Sequence, residues 1–275
     1  GYKLSVDKVN LSFLANASYV KNEIKNLGNQ TGYIDKESLP TLGTVSRNEN
    51  GYPIGYFFGY KAIGVFQTQE EIDSYISPAT GKPIQPNAAP GDTKFEDLNG
   101  DGVISDDNED RTMIGKPNPD WMVGLTVAAD WNGFDLSAFF QGSFGADVFD
   151  ALRRYELAAV NYTSDALERW TGPGTSNSMP RIVLGDTPKN FRPSTLLVHD
   201  ASFLRLRNLQ VGYTLPAQLT RKAYIQRLRF YASFDNLLTI TGYKGMDPEI
   251  GSTMGIDKGV YPQARVYTFG LNLTF

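Results

Sequence analysis

Apolar and polar residues alternate along much of this chain with a period of two, the spacing of a strand that turns one face to an apolar medium. The last residues are the plainest case. Tyr267, Phe269, Leu271, Leu273 and Phe275 fall on one face, and Thr268, Gly270, Asn272 and Thr274 on the other. At 228–236, Leu228, Phe230, Ala232 and Phe234 oppose Arg229, Tyr231, Ser233 and Asp235. At 123–131, Val123, Leu125, Val127, Ala129 and Trp131 oppose Gly124, Thr126, Ala128 and Asp130. Residues 134–143 set Phe134, Leu136, Ala138 and Phe140 against Asp135, Ser137, Gln141 and Ser143, with Phe139 out of pattern. Residues 11–19 set Leu11, Phe13, Ala15, Ala17 and Tyr19 against Ser12, Asn16 and Ser18. Each run is about as long as a membrane-crossing strand, ~9–11 residues. Two weaker strands are predicted at 52–65, where Gly is frequent, and at 202–214. In the latter the apolar positions switch from even (Leu204, Leu206) to odd (Leu209, Val211, Tyr213). That phase change predicts a β-bulge or an exit from the membrane layer.

A soluble β-sandwich alternates in the same way. Two further features point to an outer-membrane barrel. Very short connections alternate with very long ones, and aromatics gather at strand ends (Trp121, Trp131, Tyr213, Tyr243, Tyr267, Phe275), where interfacial girdles belong. On this reading the turn at Asn132-Gly133 and the segment 215–225 are periplasmic. The connections at about 66–118, 148–200 and 241–261 are extracellular, and the last strand ends in the periplasm at Phe275. By the same parity residues 26–51 fall on the periplasmic side, an awkward length that predicts a missed strand between 52 and 118 or an unusual turn. Residues 148–170 have helical spacing and good helix formers, which predicts a helix inside an extracellular loop.

Composition narrows the chemistry. The chain has 275 residues, a net charge of −4, no Cys and one His. A thiol nucleophile, a Cys-held zinc and a disulfide framework are excluded, and the acidic balance argues against a nucleic-acid partner. The longest apolar run, 157–160, is far short of a membrane helix. No signal-peptide pattern precedes the first strand. The densest motif is the acidic stretch 97–110. Asp97, Asn99 and Asp101 stand at positions 1, 3 and 5, with Gly102 at 6 and Val103 and Ser105 at 7 and 9, as at the start of an EF-hand-type calcium loop. Position 12 is Asn108 where such loops carry a bidentate Glu. This predicts a structural Ca2+ site or, alternatively, a metal-free acidic turn. His199 is followed by Asp200, but neighbours on a strand point to opposite faces and do not pair. No carboxylate pair stands out as glycosidase machinery, so no enzyme is expected. Cations are dense at 221–229 (Arg221, Lys222, Arg227, Arg229), as in an interfacial or periplasmic turn against lipid headgroups.

Segments 51–73, 90–150, 201–216 and 230–250 and the terminal RVYTFGLNLTF resemble, in that order, the C-terminal barrel region of SusC/RagA-type TonB-dependent transporters. The acidic loop departs from the pattern by about two extra residues before Arg111-Thr112, which affects the calcium ligand set. The resemblance implies an all-β chain: the C-terminal strands of a large 22-stranded antiparallel transmembrane barrel in the outer membrane of a Bacteroidetes-type bacterium. It implies partners that complete the machine, namely the plug and earlier strands of the transporter, TonB and a SusD-like surface lipoprotein. The implied function is import of glycan fragments or peptides. The plug and TonB box lie outside these 275 residues, and about seven strands are too few to close a wide barrel. Tyr267, Phe269 and Phe275 resemble the terminal signal read by the barrel-assembly machinery. The alternative is a soluble, calcium-stabilised β-rich binding or adhesion module at the cell surface.

Overall fold

The computed structural model describes residues 1–275 apart from 107, 108, 154, 156, 158–160 and 251–253. Its frame is a seven-stranded antiparallel sheet: β1 (Tyr2–Val6), β2 (Val9–Tyr19), β3 (Trp121–Trp131), β4 (Phe134–Phe144), β5 (Phe203–Thr214), β6 (Arg227–Thr241) and β7 (Val266–Thr274), each beside the next. Five of these strands fall where the alternation predicts them, and β5 does as well. Register carries one apolar row across the whole sheet. Leu4 pairs with Leu11, Leu11 with Ala129 and Ala129 with Leu136. Leu136 pairs with Val211, Val211 with Ala232 and Ala232 with Phe269. A slip of one residue anywhere would invert the faces of all later strands. The phase change in β5 is a bulge. The register shifts between Phe139 and Phe140 on one side, where Arg207 is the extra residue, and between Leu206 and Asn208 on the other, where Arg207 falls opposite Asn236 and Leu237. Phe139, out of pattern in sequence, sits at that shift.

The apolar face is outward and uncovered: Leu125, Leu136, Val211, Phe230 and Leu271 are all exposed. Aromatics close it at both ends. Tyr19 packs on Trp121 at one end, while Trp131, Phe134 and Tyr213 form a continuous stack at the other. Trp121 and Trp131 end the same strand. About ten residues at ~3.4 Å each, tilted by about 40°, separate them by roughly 26 Å along the membrane normal, close to the ~25 Å apolar band of outer-membrane barrels.

Connections at one end of the sheet are tight: Asp7-Lys8, Asn132-Gly133 and residues 215–226. At the other end three long connections, 20–120, 145–202 and 242–265, fold together into a cap. A four-stranded sheet (Tyr33–Asp35, Ser46–Glu49, Tyr56–Tyr60, Arg111–Gly115) is built from the first connection. A three-stranded one joins Asp147–Asp150 and Val198–Asp200 of the second to Ile256–Asp257 of the third. The core beneath draws on all three, with Leu39, Val45 and Phe57, then Phe149, Ala151 and Leu197, then Ile256.

Several expectations are corrected. Residues 52–65 do not cross the membrane; Tyr56–Tyr60 and Ala62–Val65 are cap strands, and Tyr56–Tyr60 is buried on both faces. The strand that does join the sheet is β1, too short to announce itself by pattern. Because β2 pairs directly with β3, residues 20–120 are one connection, and the parity conflict at 26–51 disappears. The predicted helix at 148–170 is a strand at Asp147–Asp150 and a 3-10 turn at Ser164–Glu168; five of its residues lie outside those described. Tyr243, expected in a girdle, is buried in the cap against Val148 and Ala201.

Candidate functional site

The cap and the polar face of the sheet are where this chain meets anything dissolved in water. A cleft of about 960 Å³ opens between the three long connections, lined by Ile63, Asp150, Arg153, Asp165, His199 and Lys244 among others. Its charged floor is assembled across the cap. Arg153 holds Asp150 (3.1 Å) and pairs with Asp165. His199 Nε2 lies 3.8 Å from Asp150 Oδ2 and has no hydrogen-bond partner among the described residues. Burial draws the imidazole below its usual pKa, with Arg153 adding to the shift and Asp150 opposing it. Burial likewise raises the Asp150 carboxyl. As expected, His199 does not pair with Asp200, whose carboxylate instead accepts the Ser202 N–H at 2.8 Å. Asp150 could not be found as its neighbour from sequence, because antiparallel pairing of Val148 with His199 brings the two strands together. Among the described residues no serine or threonine hydroxyl is hydrogen-bonded to the imidazole Nε2.

A second cluster ties the third connection to the inner wall. Arg205, 2% exposed, donates to Thr239 Oγ1 at 2.9 Å and Glu249 Oε2 at 3.0 Å and pairs with Asp247. Arg207, the bulge residue, donates to Gln141 Oε1 at 2.7 Å and to Glu249 Oε2 at 2.6 Å. Asp247 also accepts the N–H of Gln263 at 2.9 Å, so both legs of the connection are fixed and it folds inward as a strap. The signal for these arginines was present in sequence as two cations on the polar face of a strand; their partners were not. Near the tight turns Arg229 holds Asp135 (Nε to Oδ2, 2.8 Å) at the rim of a polar pocket of about 580 Å³.

The acidic loop closes on itself. Asp97 accepts the N–H of Gly100 at 2.8 Å and of Gly102 at 2.9 Å. Asn99 accepts from Asp101, and Asp101 from Val103. Buried Asp110 takes the N–H groups of Leu98 (3.0 Å) and Ser105 (2.9 Å), and the Ser105 carbonyl accepts the Tyr60 hydroxyl. Among the described residues no three carboxylate or His groups converge on a metal position, and Asn108 lies outside them. Tyr267, Phe269 and Phe275 are all exposed, Phe269 at the outer face beside Phe234.

No protein-family model matches the chain. It is 34% identical over 236 residues to TonB-dependent receptor P3 of Formosa agariphila, an alignment covering 82% of this chain and 22% of that receptor. It is 30% identical over 263 residues to TonB-dependent receptor SusC of Bacteroides thetaiotaomicron, covering 94% and 24%. The solved structure of the RagAB peptide importer in the open-open state superposes with a TM-score of 0.73 at 26% identity, over 99% of this chain and 27% of that one. The RagAB peptide transporter gives 0.73 at 27% identity. The chain thus spans about a quarter of the length of the relatives it matches.

Proposed function

Because this chain belongs to the SusC/RagA family of TonB-dependent transporters of the bacterial outer membrane, we propose that it forms the C-terminal wall and part of the outer cap of an importer of nutrient oligomers. The cargo is glycan fragments or peptides, energy arrives through TonB, and a SusD-like lipoprotein sits on the cap. The carrying observation is the two-faced sheet: an uncovered apolar face of membrane thickness outside, and a polar, ion-paired face inside. A soluble surface module has no use for such an outer face, which in water would be a large aggregation-prone patch. The orientation follows from the same frame, with the tight turns in the periplasm and the three-loop cap outside. The relatives this chain matches are named as receptors and a peptide importer, not as enzymes.

The test is made on the full-length protein. It should require detergent for extraction, migrate differently before and after heating, and co-purify with a lipoprotein. Uptake of its cargo by cells should stop when TonB is deleted. Solubility in plain buffer, or uptake indifferent to TonB, would overturn the proposal.

The acidic loop carries a separate proposal, a structural Ca2+ held near Asp97, Asn99, Asp101, Val103 and Ser105. Its support is the spacing and the turn at Gly102 (φ +89°), which folds that amide onto Asp97. Hydrogen exchange across 97–110 should slow several-fold on adding calcium and return on chelation. Exchange that ignores both would leave the loop as a metal-free turn.

A further inference from the structure

Two sets of cations on the frame of the sheet are held differently. Arg205, Arg207 and Arg229 on its polar face are neutralised by the protein itself, through Asp247, Glu249 and Asp135. Those in the turn between β5 and β6 are not. Residues 201–234 contain no Asp or Glu, and among the described residues Arg221 and Lys222 make no ion pair. Both are exposed, as are Leu219 at 63% and Tyr224 at 90%. An exposed tyrosine in the left-handed region (φ 57°, ψ 26°) at the tip of a turn serves no packing purpose within this chain.

Position supplies the rest of the argument. The turn begins just past Tyr213 and Phe230, a cross-strand pair that marks the edge of the apolar band next to Phe134. The headgroup layer beyond that edge is about 5–8 Å deep, from a ~30 Å core in a bilayer of ~40–45 Å. Arg221 and Lys222 stand in the second of the short helical turns Ala217–Thr220 and Arg221–Ala223 beyond that edge, and their long side chains extend further. None of residues 215–226 lines the polar pocket at the inner rim, so the turn is not committed to the barrel interior. Unpaired cations, an apolar Leu219 and an amphipathic Tyr224 on the turn beyond the aromatic edge form a surface complementary to a lipid phosphate with its acyl chain alongside.

We propose that the turn 215–226 is a phospholipid-binding surface, on which Arg221 and Lys222 hold the phosphate of an anionic lipid in the leaflet on the tight-turn side while Leu219 and Tyr224 lie against its glycerol and upper acyl region. The partner is the membrane lipid and not free phosphate, because the apolar residues flank the cations and would otherwise stand in water.

The experiment uses the full-length transporter, delipidated in detergent and titrated with phosphatidylglycerol or phosphatidylcholine, with bound lipid counted by native mass spectrometry. The wild type should retain phosphatidylglycerol in preference. Arg221→Gln with Lys222→Gln should weaken that binding roughly 10- to 30-fold and leave phosphatidylcholine binding unchanged. Heat-modifiable migration of the variant should match the wild type, since both positions are on the surface. Inorganic phosphate at matched concentration should not displace the lipid. Equal binding of both lipids by the wild type, unaltered phosphatidylglycerol binding by the double variant, or displacement by inorganic phosphate would each overturn the assignment. If the double variant fails to fold, the single variants Arg221→Lys and Lys222→Ala carry the same comparison: the first should preserve the preference and the second weaken it, and any other pattern overturns it.

Discussion

Arg205 shows how much one side chain can organise. Its guanidinium is almost wholly buried between a strand and a strap, with an acceptor on each and carboxylates supplied only by the strap. Losing one partner of a buried, hydrogen-bonded pair costs about 3–5 kcal/mol, mostly the penalty of stranding the other charge. Arg205→Ala should therefore release the strap: hydrogen exchange in 242–250 should rise sharply while β5 and β6 keep their protection. Glu249→Gln should do less, because Glu249 is about a third exposed (32%) and solvent screens it. Equal protection in all three proteins would show that the strap is held by other contacts. His199 gives a pH prediction. Its folded pKa lies below the ordinary 6.5, so an opened cap binds more protons than a closed one between those two values. Cap stability should fall as pH drops through that window and level off beneath it. Asp150 titrates with the opposite sign, since its raised carboxyl takes up protons on closing, which confines the loss to the upper part of the acid range. Exchange at 147–150 followed from pH 7 to pH 5 should show the trend in the wild type and lose it in His199→Gln.

At the scale of elements, the wall strands were legible because an apolar exterior and a polar interior write a two-residue period into every strand that spans both. Even the bulge at Arg207 was visible as a change of phase. The cap strands were not legible for the same physical reason. Tyr56–Tyr60 is buried on both faces, so it has no polar side to alternate with, and its Gly and aromatic residues imitate a membrane strand. The helix expected at 148–170 failed because helical spacing there lost to the tertiary pairing of Asp147–Asp150 with Val198–Asp200. The cleft was beyond reach altogether: its residues are brought together from three connections far apart in the chain. Two outcomes follow for single elements. Val127 sits mid-strand on the outer row, level with Ala138 and Phe13. Val127→Arg should cost about 2–4 kcal/mol of barrel stability at the midplane, lowering the temperature at which the folded, fast-migrating form is lost. Gly133 turns the β3–β4 hairpin at φ +85°, and a Cβ there would meet the Thr214 carbonyl at 2.7 Å. Gly133→Ala should cost at least about 1–2 kcal/mol and slow recovery of the folded form after heating, measured on the same gel.

At the scale of the molecule the sheet is an arc and not a closed wall. Within this chain β1 and β7 are each paired on one side only. A bilayer does not tolerate unpaired backbone at such edges, so on the proposed function each edge calls for a partner strand. Expressed alone, residues 1–275 should fail to give a heat-modifiable monomer in detergent, whereas the full-length protein should give one; a well-behaved isolated arc would mean that β1 and β7 find each other. The part of the cap in this chain has a different character, being held by one core shared among its connections. Leu39 and Phe57, Phe149 and Leu197, and Ile256 share one core although they come from three different connections. Such loops are not independent accessories that can be traded one at a time between transporters. A chimera that transplants only 145–202 should leave Phe57 and Ile256 against a mismatched surface and misfold the cap. One that moves 20–120, 145–202 and 242–265 as a set should keep its core and carry its ligand preference with it. On the proposed function, a change of cargo would then be a change of this shared cap interior, inherited as a block.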